Sequence, residues 1–512
     1  MKKLSFAFLL TCMSCLSSSA TEDELVARAQ AIHDRVMTLD THVDIPLNFA
    51  TSEYDPLDAD AQVNLLSMRN GGLDSVFFIV YVGQQARNPM TYVDARADAL
   101  AKFDAIHRMT ALYPEEIGLA TTAAEARALY ASGKRVAMIG VENGFSIGLD
   151  ISLLEEFRNR GARYFGLVHN GHNDIGDSAQ PQERFGDLPE EHGGLSAYGY
   201  EVVEELNRLG ILVDISHVSK QTMLDATSHS RAPVIASHSS VNGIYEHPRN
   251  LDDEQLLAIR ENGGVVQIVA FDTYLNEGRG TAAVEDLADH IDYAVDLIGI
   301  EHVGISSDFG GGGGISDWNG AAETFNVTLE LVRRGYTEAE IAMIWSGNVL
   351  RILETAENIA LADTDTAATL PAFSDYKVAQ SNSVLNAVDL SSHPDAINFR
   401  TRLEDNINSA ANFAGHYILT SWGCGTMCQM NALIDVLTGE VLFPADFTSS
   451  YGSCFKADSN LVILNPIDEF YLDSFDGEPP SWFKVGYYLW DGQEMQLLSE
   501  NQQVVLEDCE FF

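Results

Sequence analysis

Basic side chains are scarce in this chain. Only 30 Lys and Arg stand against 75 Asp and Glu, a formal net charge of -45. That balance excludes a nucleic-acid or anionic-membrane surface, since either partner needs a cationic face. The acidic residues are dispersed rather than gathered in a tract, so no acidic-tail function follows. A salt-rich solvent, which screens self-repulsion, suits such a surface. Cysteine is scarcer still. Of six residues, Cys12 and Cys15 lie near the start, and Cys424, Cys428, Cys454 and Cys509 near the end, with none between Thr21 and Trp422. In an oxidising compartment the last four permit two disulfides in any of three connectivities. A four-thiolate zinc site is the weaker reading, because only Cys424 and Cys428 are close. Long apolar runs are missing too. The short run Leu4 to Leu10 follows Lys2-Lys3 and precedes Ser18-Ser19-Ala20, the layout of an export signal over residues 1–20 with cleavage before Thr21. It is too brief to cross a bilayer, and no transmembrane segment is expected elsewhere. The mature protein is expected to be exported, periplasmic or secreted, and soluble. A lipid anchor at Cys12 or Cys15 is the alternative, although neither follows a good lipobox.

What is present is an ordinary globular balance, 46% hydrophobic and 21% charged. The length of 512 residues favours more than one domain. Eight apolar runs of strand length recur with helix-like segments between them. The first, Val36-Met37-Thr38-Leu39, leads into Asp40-Thr41-His42-Val43-Asp44. The second is Leu73 to Val82, the third Val136 to Val141 ending at Glu142, and the fourth Tyr164 to Val168 ending at His169. The fifth, Ile211 to Ser216, ends at His217, and the sixth, Val234 to Ser237, at His238. The seventh is Val265 to Phe271, and the eighth, His302 to Ser307, ends at Asp308. Helices are expected over 22–35, 92–112 (stopped by Pro114), 198–209, 323–334 and 338–355, the last capped by Tyr336-Thr337-Glu338. This alternation predicts a (β/α)8 TIM-like barrel, an α/β fold whose sites gather at the C-terminal ends of the strands. The barrel should occupy 21–362. Thr364-Asp365-Thr366 to Pro371 suggests a linker over 363–380. A small β-rich (α+β), cysteine-containing accessory domain is expected over 381–512, with Asn412 to Leu419 and Leu461 to Leu464 as strand candidates.

Side chains two apart on a strand share a face, so His42 and Asp44 should project together. An imidazole beside a carboxylate is half of a zinc-type site. Alone, the pair reads equally well as a loop cap. Five further strands end in His, Asp or Glu, however, and equivalent strand ends of a barrel converge on one mouth, which favours a metal centre. Taken in order, Thr41-His42-Val43-Asp44, Gly140-Val141-Glu142, Leu167-Val168-His169, Asp214-Ile215-Ser216-His217-Val218-Ser219, Ser237-His238-Ser239-Ser240, His247-Pro248-Arg249-Asn250 and Gly304-Ile305-Ser306-Ser307-Asp308-Phe309 form an ordered set. That set resembles the membrane (renal) dipeptidase family of amidohydrolase-like metal barrels, from about residue 22 to 360.

The resemblance implies two Zn2+ ions bridged by Glu142, with His42 and Asp44 completing one site and His217 and His238 the other. A carboxylate has an oxygen for each cation, whereas a single imidazole cannot serve two. The resemblance also implies that His169 stabilises an oxyanion and that Arg249 offers a fork to the substrate carboxylate. Asp308 would carry a proton from a metal-bridging hydroxide to the leaving amine. The implied activity is hydrolysis of small free dipeptides, including those with a D-residue at the carboxyl end. The alternative keeps both metals and changes the bond to a lactam, lactone or N-acyl amino acid. Simpler readings stand beside these. Arg249 also reads as a surface arginine ahead of a helix, and His172 competes with His169. His302 precedes its strand and reads as structural. Gly310 to Gly314 reads as flexible access and not as a phosphate loop, since no Lys-Ser/Thr follows. Gly310 also stands where family members often carry a second Asp, which puts specificity built on that acid in doubt. Around Trp422-Gly423-Cys424-Gly425-Thr426-Met427-Cys428 the C-terminal segment resembles a small secreted bacterial module. It reads as a disulfide-stapled accessory domain, or as a module binding an unknown partner. A homodimer is compatible with the sequence.

Overall fold

The computed structural model describes residues 21–278, 280–367, 371–425, 428–445, 447–450, 452–466 and 484–501. The chain divides into two compact units, residues 1–364 and 365–512.

The first unit is built on eight parallel strands that neighbour one another in chain order: β1 Leu39–Asp44, β2 Ser75–Tyr81, β3 Arg135–Glu142, β4 Ala162–Gly166, β5 Leu212–Asp214, β6 Ile235–Val241, β7 Val265–Val269 and β8 Val303–Ser306. The circle returns on itself beyond β8. There Asp44 N donates to Phe309 O at 2.8 Å and Ser307 N to Asp40 Oδ1 at 2.9 Å. The result is the nearly closed barrel that the alternation of runs predicts.

Strand side chains alternate between two cores, as the pleat requires. Phe77 and Ile79 of β2 and Val136 and Met138 of β3 cluster with Leu39, Tyr164, Leu212, Ile235 and Val265, the barrel's own filling. The intervening Val76, Phe78, Val80, Ala137, Ile139 and Val141 pack instead with helical residues such as Phe103, Ile106 and Leu206. Each Val, Leu, Ile, Phe or Met side chain among them contributes about 1.5–3 kcal/mol when fully buried. Val349, Ile352 and Leu353 of the helix Asn348–Ala367 complete the inner cluster. That helix passes through Thr364-Asp365-Thr366, where composition suggested a linker. The helix Pro89–Leu112 starts with an Asn88 cap and a first-turn proline and stops before Pro114. Thr337 closes a capping box with Glu340. Two short strands lie outside the eight expected runs: Ile117–Leu119 beside β3 and Asn250–Leu251 beside β6.

The second unit holds two antiparallel four-stranded sheets among the described residues. The first orders β9 Tyr417–Gly425, β10 Cys428–Asp435 and β11 Val441–Leu442, with β12 Thr448–Ser449 against β10. The second runs β13 Ser453–Phe455, β14 Leu461–Leu464, β15 Val485–Trp490 and β16 Met495–Asn501. Cys424 and Cys428 are joined by a disulfide across the β9–β10 hairpin. Cys454 is also disulfide-bonded, and Cys509 lies outside the described residues. The expected strand Asn412 to Leu419 begins only at Tyr417. Ala414 and Gly415 take positive φ, 45° and 81°, and make a turn where Tyr417 N donates back to Phe413 O. No helix among the described residues is long and apolar enough to cross a membrane.

Candidate metal centre

The ends of β1 and β3, the middle of β6 and the loops after β5 and β8 bring six ligand-type side chains into one cluster. His42, Asp44, Glu142, His217, His238 and Asp308 meet there, with His169 at its edge. Three sets place ligand atoms within 4.8 Å of one another: His42, Glu142 and His238; Glu142, His169 and His217; and His42, Asp44 and Asp308. These sets overlap the two groups expected from the sequence without coinciding with them. Glu142 is common to the first two, and its oxygens are divided. Oε2 lies 3.5 Å from His42 Nε2, while Oε1 lies 3.1 Å from His217 Nε2, 3.5 Å from His238 Nε2 and 3.7 Å from His169 Nε2. Asp44 Oδ2 also lies 3.5 Å from His42 Nε2. His217 and Asp308 both sit at positive φ, 66° and 57°. Non-glycine residues visit that region rarely, and here it turns each side chain off its strand end toward the cluster.

The hydrogen bonds behind the three buried imidazoles fix which nitrogen faces inward. Tyr164 Oη donates to Thr41 O at 2.9 Å, so at 2.9 Å from His42 Nδ1 it must accept. Ser237 Oγ donates to Asp214 Oδ2 at 2.6 Å and therefore accepts from His238 Nδ1 at 2.8 Å. Asn170 Oδ1 accepts from His217 Nδ1 at 3.0 Å. Each Nδ1 thus carries its proton outward, and each Nε2 turns to the cluster. His217 Nε2 and His238 Nε2 then face each other at 2.9 Å. Burial, with Arg249 and neighbouring imidazoles, holds both rings well below the usual histidine range, so two lone pairs oppose each other there. His42 Nε2 is buried without a hydrogen-bond partner. Burial opposes charging of His42, but Glu142 and Asp44 raise it well above the usual range. Glu142 is likewise buried, yet His42, His169 and a hydrogen bond to His217 hold its carboxyl well below the usual range. Convergent lone pairs, divided carboxylates and an orphaned Nε2 fit divalent cations, which would replace the repulsion by coordination.

Asp308 is 7% exposed. Burial pushes its carboxyl well above the usual range; His42 and Arg249 pull it down, and Asp44 and Glu142 add to the rise. The glycine after next leaves the two carboxylates their present positions. A Cβ on Gly311 would fall 2.3 Å from Asp308 Oδ1 and 2.4 Å from Asp44 Oδ2. Gly310 has φ 80°, and its Cβ would meet Asp44 O at 2.6 Å, so this backbone has no room for a second acid there. Arg249 is not a surface residue. It is 3% exposed, with one Nη2–H donated to His238 O at 3.1 Å, Nε unpartnered, and its guanidinium 5.6 Å from the Tyr274 ring centre. His172 is tied up elsewhere: its Nδ1 accepts from Ser178 N and its Nε2 donates to Leu188 O. His302 bonds Gly264 O before β8, as a structural residue should.

A cavity of about 550 Å³ opens over the cluster, lined by Asp44, Glu142, His169, His217 and Asp308 and also by Tyr81 and Lys102. Sequence reasoning missed Tyr164, Asn170 and the Ser237–Asp214 pair, as well as Lys102. Only Lys102 left a local trace. It continues the buried flank Ala95, Ala99, Ile106, Met109 of its helix, where a lysine is out of place.

A parallel eight-stranded barrel with imidazoles and carboxylates converging at its strand ends is a metal-dependent hydrolase. The family model for membrane dipeptidase (peptidase family M19) matches residues 26–366, and the chain belongs to that family. Dipeptidase aclJ of Aspergillus oryzae is 36% identical over 313 residues, 59% of this chain and 72% of that protein. The structure of the probable dipeptidase PvdM from Pseudomonas aeruginosa aligns at 30% identity with a TM-score of 0.64, over 66% of this chain and 100% of that one. A metallopeptidase from Rhodobacter sphaeroides, solved with a phosphinate mimic of the dipeptide L-Ala-D-Ala, aligns at 25% identity with a TM-score of 0.56, over 63% of this chain and 99% of that one. The protein is a metallo-dipeptidase of this family.

Proposed function

We propose that the protein is an exported zinc dipeptidase that cleaves small free dipeptides and accepts a D-residue at the carboxyl end. The observation that carries this reading is the division of Glu142 between His42 on one oxygen and His217 and His238 on the other. Held by His42, Asp44, Glu142, His217 and His238, two Zn2+ ions would acidify a shared water and polarise the scissile carbonyl. Mixed imidazole and carboxylate donors suit zinc among the common divalent ions.

The chain's own groups supply the rest. Asp308, buried and disposed to hold a proton, receives one from the attacking water and passes it to the departing amine. His169 borders both Glu142 and the cavity, and from there it donates to the oxygen on which charge develops. Arg249, with Nε unpartnered, receives the terminal carboxylate of the substrate. Tolerance of a D-residue is supported by the Rhodobacter sphaeroides relative and its L-Ala-D-Ala mimic. Export is supported by the Cys424–Cys428 disulfide, since such bonds persist in oxidising compartments; residues 1–20 lie outside the described residues. The second unit then serves as a stapled accessory domain. The test is a library of L,L- and L,D-dipeptides, N-acyl amino acids and β-lactams assayed on the zinc-loaded protein. Hydrolysis of the last two classes without the dipeptides would replace the assigned bond. One metal or none per chain in active enzyme would end the two-metal reading.

A further inference from the structure

Lys102 lies on the buried flank of the helix Pro89–Leu112 and is only 6% exposed. A buried ammonium needs partners for its three N–H groups. Other lysines of this chain have them: Lys134 donates to Pro114 O, and Lys220 lies between Asp252 and Glu254. Among the described residues Lys102 Nζ makes no hydrogen bond and no ion pair. Its close neighbour is the face of Tyr81, whose centre is 5.3 Å away, and both residues line the cavity over the metal cluster. In a chain this acidic, an unpartnered cation aimed into the reaction cavity is a ligand-binding feature. Its place within the cavity narrows the ligand. Lys102 stands over the Tyr81 ring, with Asp44, Glu142 and Asp98 as the carboxylates acting on it, whereas Arg249 stands over the Tyr274 ring and donates to His238 O. The two cations therefore serve different ends of the site. A dipeptide's terminal ammonium is drawn to Asp44 and Asp308, and its terminal carboxylate to Arg249. An anion on the Asp44 side has to come from the side chain of the first residue.

We propose that Lys102 is a specificity residue that binds the side-chain carboxylate of an aspartyl or glutamyl residue at the amino-terminal position of the dipeptide. This rests on the dipeptidase reading of the site. One charge-assisted hydrogen bond to a carboxylate corresponds to a preference of roughly 10- to 100-fold. The pair Glu-Ala and Gln-Ala isolates it, because the two substrates differ only in side-chain charge. With the zinc-loaded full chain, kcat/KM should favour Glu-Ala over Gln-Ala by about that factor. The ratio should collapse in Lys102→Met and survive in Lys102→Arg. A wild-type protein that cleaves Gln-Ala as well as or better than Glu-Ala overturns the proposal even if neither variant folds. So does a preference that persists in Lys102→Met. Failure to cleave any dipeptide, Ala-Ala included, would count against the dipeptidase reading instead.

Discussion

Removing one oxygen tests the tautomer of His42. Tyr164→Phe keeps the ring, which packs 5.2 Å from Phe77 and fills the space that a Cβ on Gly140 would claim, 2.1 Å from Tyr164 Cζ. What disappears is the fully buried hydroxyl that accepts from His42 Nδ1 and donates to Thr41 O, both at 2.9 Å. Two buried groups lose a partner, and each unsatisfied group costs about 1–3 kcal/mol. His42 also loses the bond that holds its proton on Nδ1. The other tautomer would aim Nε2–H at the cluster and oppose a cation there. Loss of such an outer partner typically lowers metal affinity about 10- to 100-fold. Zinc affinity measured by competition with a chelator should fall by that factor, and the melting temperature of the metal-free protein should drop as well. Turnover should recover when zinc is raised to saturation. A variant that melts early but binds zinc like the wild type would show the hydroxyl to be structural only. Unchanged affinity and stability together would refute the hydrogen-bond chain altogether.

Three further outcomes follow from the same geometry. Glu142→Gln should lower occupancy of both metal positions, because its two oxygens face different imidazoles; elemental analysis showing one fully occupied position would contradict that. Asp308→Asn should reduce turnover by about 10²–10⁴ with both metals retained. A metal-depleted variant rescued by added zinc would make Asp308 a ligand, a role its place beside His42 and Asp44 also permits. Mild reduction of Cys424–Cys428 should loosen the second unit, at a typical cost of about 2–4 kcal/mol, and leave dipeptide hydrolysis largely intact. Loss of hydrolysis on reduction, or on removing residues beyond 370, would show that the second unit helps to build the active site.

The barrel was legible because its strands are buried on both faces and therefore read as continuous apolar runs. Ile117–Leu119 escaped for want of length, three residues with Gly118 in the middle. The second unit was legible only in outline. Its strands are short, and several are half-exposed, so turn geometry decides their limits. Ala414 and Gly415, at positive φ, cut the apolar run Asn412 to Leu419 in two. No periodicity reveals a left-handed turn, and alanine is not a residue that announces one.

At the site, the division between legible and hidden follows covalent distance. His42, Asp44, Glu142, His217, His238 and Asp308 announce themselves because strand ends converge in any such barrel, so residue type and strand position suffice. Their orientation does not. Tyr164 reads as a core aromatic of β4, and nothing near it in sequence shows that its hydroxyl lies 2.9 Å from a histidine 122 positions away. That approach depends on Gly140 of β3, where any side chain would collide with the Tyr164 ring. Asn170 has the same standing toward His217, across 47 positions. A protein with the six ligand-type residues but a side chain at position 140 would display the motif and lose the relay. The glycine in Gly140-Val141-Glu142 therefore shapes the cluster as much as the glutamate does: the glutamate divides its oxygens among the imidazoles, and the glycine leaves room for the phenol bonded to His42.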